Sequence, residues 1–161
     1  MLHHYWLTFV ELIQTPFQSS QLIWGIVPLY FAWLTNEITS AKASFRTAIQ
    51  TGFSFIWAAA HWTYQYGVGH FSFQAVFAIN LLVTLGVLVI GLVALVSGFR
   101  RRYPRYCSFL GHTRFCNYFM IAIFPIQSRA LDWSWDRLAT ILLFAVPIWM
   151  LAHFGLMPLR K

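Results

Sequence analysis

"FQAVFAINLLVTLGVLVIGLVALVS", Phe73 to Ser97, is twenty-five residues without a charge, closed by Gly98 and then by Arg100, Arg101 and Arg102. An α-helix rises about 1.5 Å per residue, so about twenty apolar residues cross a hydrocarbon core. The stretch predicts a membrane-spanning helix, and the rest of the chain has the same character. Of 161 residues, 59% are hydrophobic, 19% aromatic and only 9% charged, against about a quarter charged in ordinary soluble domains. That is a bilayer composition, and the length fits a single domain.

Upstream, Arg46 to Tyr66 is a more polar span with an ordered pattern. Gln50, Ser54, Ala58, His61 and Gln65 recur at steps of four, four, three and four, which puts them on one helical face. Lipid penalises such a face, so it should pack against other helices or line a polar cavity. The next span answers with Asn80, Thr84, Val87, Gly91 and Ala94 and ends near Gly98. The two helices are expected to pack face to face along these stripes.

Further out, Leu138 to Met157 reads as another span, kinked at Pro147, and Phe17 to Thr35 as a first one, left at Asn36 and Glu37. "HHYWLTFVELI" is too short and too charged to cross. With Trp6, Phe9, Leu12 and Ile13 on one side it predicts a helix lying in the membrane interface, with a disordered tail ending at Thr15 and Pro16 as the alternative. Met1 to Tyr5 carry no cationic segment and no cleavage signal follows, so no secretory signal peptide is expected. "FCNYFMIAIFPIQ", Phe115 to Gln127, would cover only about 20 Å as a helix. It either re-enters the membrane or crosses with help from Ser128 to Leu131.

Charge placement arbitrates, because positive residues in short loops favour the cytoplasmic side. The formal net charge is +7. With five crossings and the start outside, Lys42, Arg46, the five arginines of the Ser97 to Phe119 stretch, Arg160 and Lys161 all fall inside. Only Arg129 and Arg137 stay outside, sharing a loop with Asp132 and Asp136 that reads as a paired, solvated turn. The expectation is an all-α polytopic integral membrane bundle of about five transmembrane helices, over 17–35, 46–66, 73–97, 115–131 and 138–157. It is preceded by the interfacial helix, and four spans plus a re-entrant segment is the alternative.

Arg100, Arg101, Arg102, Arg105 and Arg114 then set orientation, and clustered beside a span they also suit anionic lipid headgroups. Nucleic acid is not an expected partner, because no recognisable binding module accompanies the charge. Cys107 and Cys116 lack CxxC spacing and imply neither zinc nor a disulfide. No nucleophile elbow, Walker loop, HExxH or dinucleotide fingerprint is present, and no internal repeat suggests inverted transporter halves. In "LDWSWDR", Asp132 or Ser134 should cap the last helix rather than perform acid/base chemistry. Glu11 and Glu37 read as isolated carboxylates near span ends, where solvent is available.

These readings favour a small, non-catalytic membrane subunit acting by helix packing in a homo-oligomer or larger complex, because its polar faces are expected to be too extensive for one small bundle to bury. The alternative is a small channel or transporter, with Gln50, Ser54, His61, Gln65, Asn80 and Thr84 around a hydrated path and His61 as its ionisable element. No cofactor or metal is expected. A lesser alternative is a haem b electron carrier with His61 and His153 as axial ligands. Five crossings would separate those two by about 16 Å in depth and defeat the pairing, whereas four would bring both toward one face. The expected partners are the bilayer and other membrane subunits or further copies, in a bacterial inner membrane or an organellar one.

Overall fold

The computed structural model describes residues 2–39, 45–68, 75–101 and 114–155. They are all-helical, without strands: α1 (Leu2–Gln14), a single 3-10 turn (Thr15–Phe17), α2 (Ser20–Thr39), α3 (Phe45–Val68), α4 (Ala75–Arg100), α5 (Arg114–Gln127) and α6 (Trp135–Gly155). Among them α4, over Phe77–Arg100, is the helix whose length and hydropathy suffice by themselves to cross a membrane. Helices α2 and α3 have the length but dilute their apolar character with Asn36, Glu37, Gln50 and His61. Helix α5, at 14 residues, covers only about 21 Å.

The α3–α4 pair is the most extensive contact in the bundle. On α4 the buried positions are Asn80, Thr84, Val87, Gly91, Ala94 and Gly98, at alternating steps of four and three. Every other face of that helix presents bare aliphatic side chains, such as Leu82, Leu85, Val89 and Val93. Glycine makes the seam close. A Cβ placed on Gly52 would stand 2.7 Å from the Gly91 carbonyl oxygen, and one on Gly98 would stand 3.0 Å from the Phe45 carbonyl oxygen. The helices run antiparallel, since Gly98 meets Ile49 while Gly91 meets Ile56.

This corrects the expected register of α3. Helix α3 meets α4 through Phe45, Ile49, Gly52 and Ile56, and its Gln50 to Gln65 face is turned toward α2 and α5. The reason is steric: the backbones approach closest where Gly52 opposes Gly91, and at about 100° per residue the Phe45, Ile49, Gly52 and Ile56 row lies on the side of α3 opposite the Gln50, Ser54, His61 and Gln65 row. The polar row therefore points away from α4.

The remaining contacts fix every direction. Asn36 of α2 bonds Thr51 of α3, whereas Gly25 meets His61, so α2 is antiparallel to α3. Gly25 also meets Phe124 while Trp33 meets Tyr118, so α5 is antiparallel to α2. Ile141 packs with Ala122 and Ile126, and Ile148 and Leu151 lie beside Tyr118, so α6 is antiparallel to α5. Consecutive helices from α2 to α6 therefore alternate in direction. Arg46, Arg100, Arg101 and the start of α5 at Arg114 share one end of the bundle, and Arg129 and Arg137 share the other.

Helix α5 is the centre of the packing. Met120 to Ser128 are all buried, so neighbouring elements surround this part of the helix on every side. It stops at Gln127, four residues short of the span expected over 115–131. The Arg129 N–H donates to the Ile126 carbonyl (3.1 Å) and the Ala130 N–H to the Pro125 carbonyl (3.0 Å), with Arg129 at φ 58°. That is a Schellman cap with a left-handed residue at its turning point. Ser134 then caps α6, its Oγ accepting the Arg137 N–H at 3.2 Å.

Helix α1 crosses α6 instead of running alongside it. His4 reaches Asp136 (3.9 Å) and Glu11 reaches Arg137 (3.4 Å), so seven residues of α1 map onto one step of α6. Trp6 and Phe9 both meet the single ring of Phe144. The segment is thus a docked helix and not a disordered tail. Glu11, read as isolated, is the partner of Arg137, and Asp136 pairs with α1. In the expected turn of Arg129, Asp132, Asp136 and Arg137, the Arg137 guanidinium donates to the Asp132 carbonyl, and no ion pair joins an arginine to an aspartate there among the described residues.

Candidate functional site: a polar seam inside the bundle

The α3 face displaced from α4 builds the seam. Asn36 Nδ2 donates to Thr51 Oγ1 at 3.1 Å, and Ser54 Oγ donates to the Thr51 carbonyl at 2.9 Å. Glu37 and Asn117 are 0% exposed. The Asn117 side-chain amide has no hydrogen-bond partner among the described residues. About two turns beyond Ser54, half-buried His61 lies against Gly25 and stacks on Phe124, with centroids 5.5 Å apart and planes at 25°. His61 Nε2 is buried without a hydrogen-bond partner among the described residues. Between these groups Ile26, Leu29, Trp62 and Phe124 fill the interior.

At the Arg129 end a second polar cluster closes the bundle. Tyr66 Oη lies 2.8 Å from Gln127 Oε1 and 3.0 Å from the Gln127 carbonyl. Trp133 Nε1 donates to Asn80 Oδ1, and Thr84 Oγ1 donates to the Asn80 carbonyl at 2.8 Å.

The six residues of the expected polar face therefore divide. Ser54 lies in the α2–α3–α5 interior with His61 at its edge, while Asn80 and Thr84 lie in the α3–α4 seam. Gln50 lines a lateral groove of about 380 Å³ with Pro28, Phe31 and Phe53. Gln65 is half-buried near the Arg129 end. The chain buries Ser54, Asn80 and Thr84 by itself, so these residues do not call for a second subunit to cover them. Of the basic residues, Arg100 and Arg101 are exposed at one end, and Arg114 opens α5. Arg102 and Arg105 lie outside the described residues, as do His70, Cys107 and Lys161.

His61 is level with Phe124 and hence with Ile141 of α6, whereas His153 stands twelve residues further along that helix. The two helix positions are thus about 18 Å apart along the bundle. No group of three or more His, Cys, Asp or Glu side chains that could hold a metal occurs among the described residues.

Glu37 and Asn117 escaped the sequence reading. Glu37 was placed near solvent at a span end, yet α2 continues to Thr39 and buries it. The signal was present: neither glycine nor proline follows Asn36, and Ile38, four residues after Leu34, continues the apolar pattern past the pair. Asn117 lies in the first turn of the short α5, a segment read only for its length.

Compared with known protein families, with curated proteins and with solved structures, the chain finds no match.

Proposed function

We propose that the chain is a polytopic integral membrane protein crossing five times, through α2 to α6, with α1 lying in the interface. In this reading it acts without catalysis as a small helix-packing subunit of a homo-oligomer or larger membrane complex. The observation that carries the membrane assignment is inverted polarity. Ser54, Thr84 and Asn117 lie within, while Trp24, Phe31, Leu82 and Leu151 are 65–74% exposed. Water would reverse that arrangement, and hydrocarbon favours it. The alternating directions add support, because the described basic residues gather at one end, with only Arg129 and Arg137 at the other.

The subunit reading follows from an interior that is filled and a periphery that is apolar. Association then runs through the outer faces of the helices, the lateral groove at Phe31, Phe53 and Phe99 among them, and not through the polar stripes. The basic end would set orientation and meet anionic headgroups. Photolabelling from the lipid phase tests the arrangement: Leu82, Leu85 and Val89 replaced singly by a reporter cysteine should label, and Ser54 and Thr84 should not. Labelling of Ser54 and Thr84 in folded protein contradicts it. Mass measurement of the detergent-solubilised protein in its membrane assembly tests the subunit role, and a monomer without partners counts against it.

A second reading, a small channel or transporter, is favoured by one observation: a fully buried carboxylate, Glu37, at one end of a seam leading past Ser54 to His61. Ionisable groups inside a membrane are expensive and mark transport paths. Reconstituted flux that disappears in His61→Ala with assembly intact favours this reading, and absence of flux in wild type removes it.

A further inference from the structure

Arg129 occupies a position that glycine normally fills. At φ 58° it turns the chain out of α5, a conformation that residues with a Cβ adopt at a steric cost. The side chain it brings there is held in place. Its guanidinium carbon lies 4.9 Å from the centre of the Tyr66 ring and 5.9 Å from that of Phe77, and those rings meet edge to face. Tyr66 is itself pinned by Gln127. The residue is exposed, and no carboxylate pairs with it among the described residues. Arg137 at the same end differs, because Glu11 already neutralises it. Trp135, 87% exposed at the start of α6, is the type of side chain that favours the headgroup level.

We propose that Arg129 is a phosphate-binding residue, taking the phosphodiester of a lipid headgroup in the leaflet opposite the basic end. A guanidinium presents N–H groups in a planar fork that matches two phosphate oxygens. Stacking on Tyr66 and Phe77 restrains its long side chain before the ligand arrives, which lowers the ordering cost of binding. The lipid source rests on the membrane reading above; the phosphate chemistry does not. Inorganic phosphate offers the same oxygens.

The test is the thermal unfolding midpoint of the purified protein in a neutral detergent, with added short-chain phosphatidylglycerol, with inorganic phosphate, and with neither. Arg129→Gly keeps the cap, since glycine adopts this backbone freely, and removes the guanidinium; Arg129→Gln and Arg101→Gln complete the set. The lipid should raise the midpoint of wild type and Arg101→Gln and leave both Arg129 variants unmoved. A rise with inorganic phosphate that also depends on Arg129 supports phosphate recognition and assigns the site to a free anion. An equal rise in the Arg129 variants, or no rise in wild type with either additive, overturns the proposal. Protein that stays folded and soluble without detergent would refute the membrane reading separately, with the phosphate comparison still deciding Arg129.

Discussion

Gly52 and Gly91 face each other across the α3–α4 seam, so close that a methyl group on Gly52 would stand 2.7 Å from the Gly91 carbonyl oxygen and from the Leu95 nitrogen. The obstacles are backbone atoms, which cannot swing aside as a side chain can. Gly52→Ala should force the helices apart and destabilise the protein by about 1–3 kcal/mol, as overpacking does. Gly86→Ala meets nothing within 4 Å and gains helix propensity, so it should be neutral or slightly stabilising. Thermal unfolding of both variants in one detergent checks the contrast.

Trp133 reaches from the α5–α6 turn to Asn80 near the start of α4. Asn80→Leu should leave the indole N–H without its acceptor, and Trp133→Phe should leave the buried Asn80 amide oxygen without its donor, each lowering stability by about 1–3 kcal/mol. A double-mutant cycle should show the two changes coupled; additive losses would mean that the bond contributes little.

Tyr66 joins the end of α3 to the end of α5 through its hydroxyl, 2.8 Å from Gln127 Oε1. Tyr66→Phe should lower stability by about 0.5–1.5 kcal/mol, the usual net contribution of one intramolecular hydrogen bond. The ring stays, so the cap at Arg129 should survive. Chemical denaturation in mixed micelles reads the loss.

Helix α1 is held by rings more than by charge. Phe9 stacks on Phe144 at 5.1 Å, whereas Glu11 and Arg137 form a pair at 3.4 Å with Glu11 about half exposed. Phe9→Ala should release α1 to limited proteolysis with a cost of about 3 kcal/mol. Glu11→Gln should cost at most about 1 kcal/mol, less in high salt.

The α4 stripe was legible because Asn80, Thr84, Gly91 and Gly98 are the small or polar interruptions of an aliphatic helix, so their spacing names the buried face. On α3 the same reasoning chose the polar row over the Gly52 row on the opposite side of the helix. Periodicity says which residues share a face but not which neighbour that face meets, and backbone approach at glycine decided it. Helix α5 was read from its length alone, which does not tell that Met120 to Ser128 are buried on all sides. The partners of Glu11 and Arg137 lie more than a hundred residues apart, and nothing local in either segment announces the other. Glu37 was misread for a different reason, an end assigned to α2 where no terminating residue stands.

The side on which Lys161 emerges tests the central claim most directly. In the proposed reading, five alternating crossings put the end of α6, and position 161 beyond it, on the same side as Arg101. A reporter at position 161 and another at position 101 should therefore show identical accessibility to an impermeant reagent in oriented vesicles, and both should differ from a reporter at the exposed Ala130. Position 161 labelled together with position 130 and opposite to position 101 would contradict the five-crossing bundle.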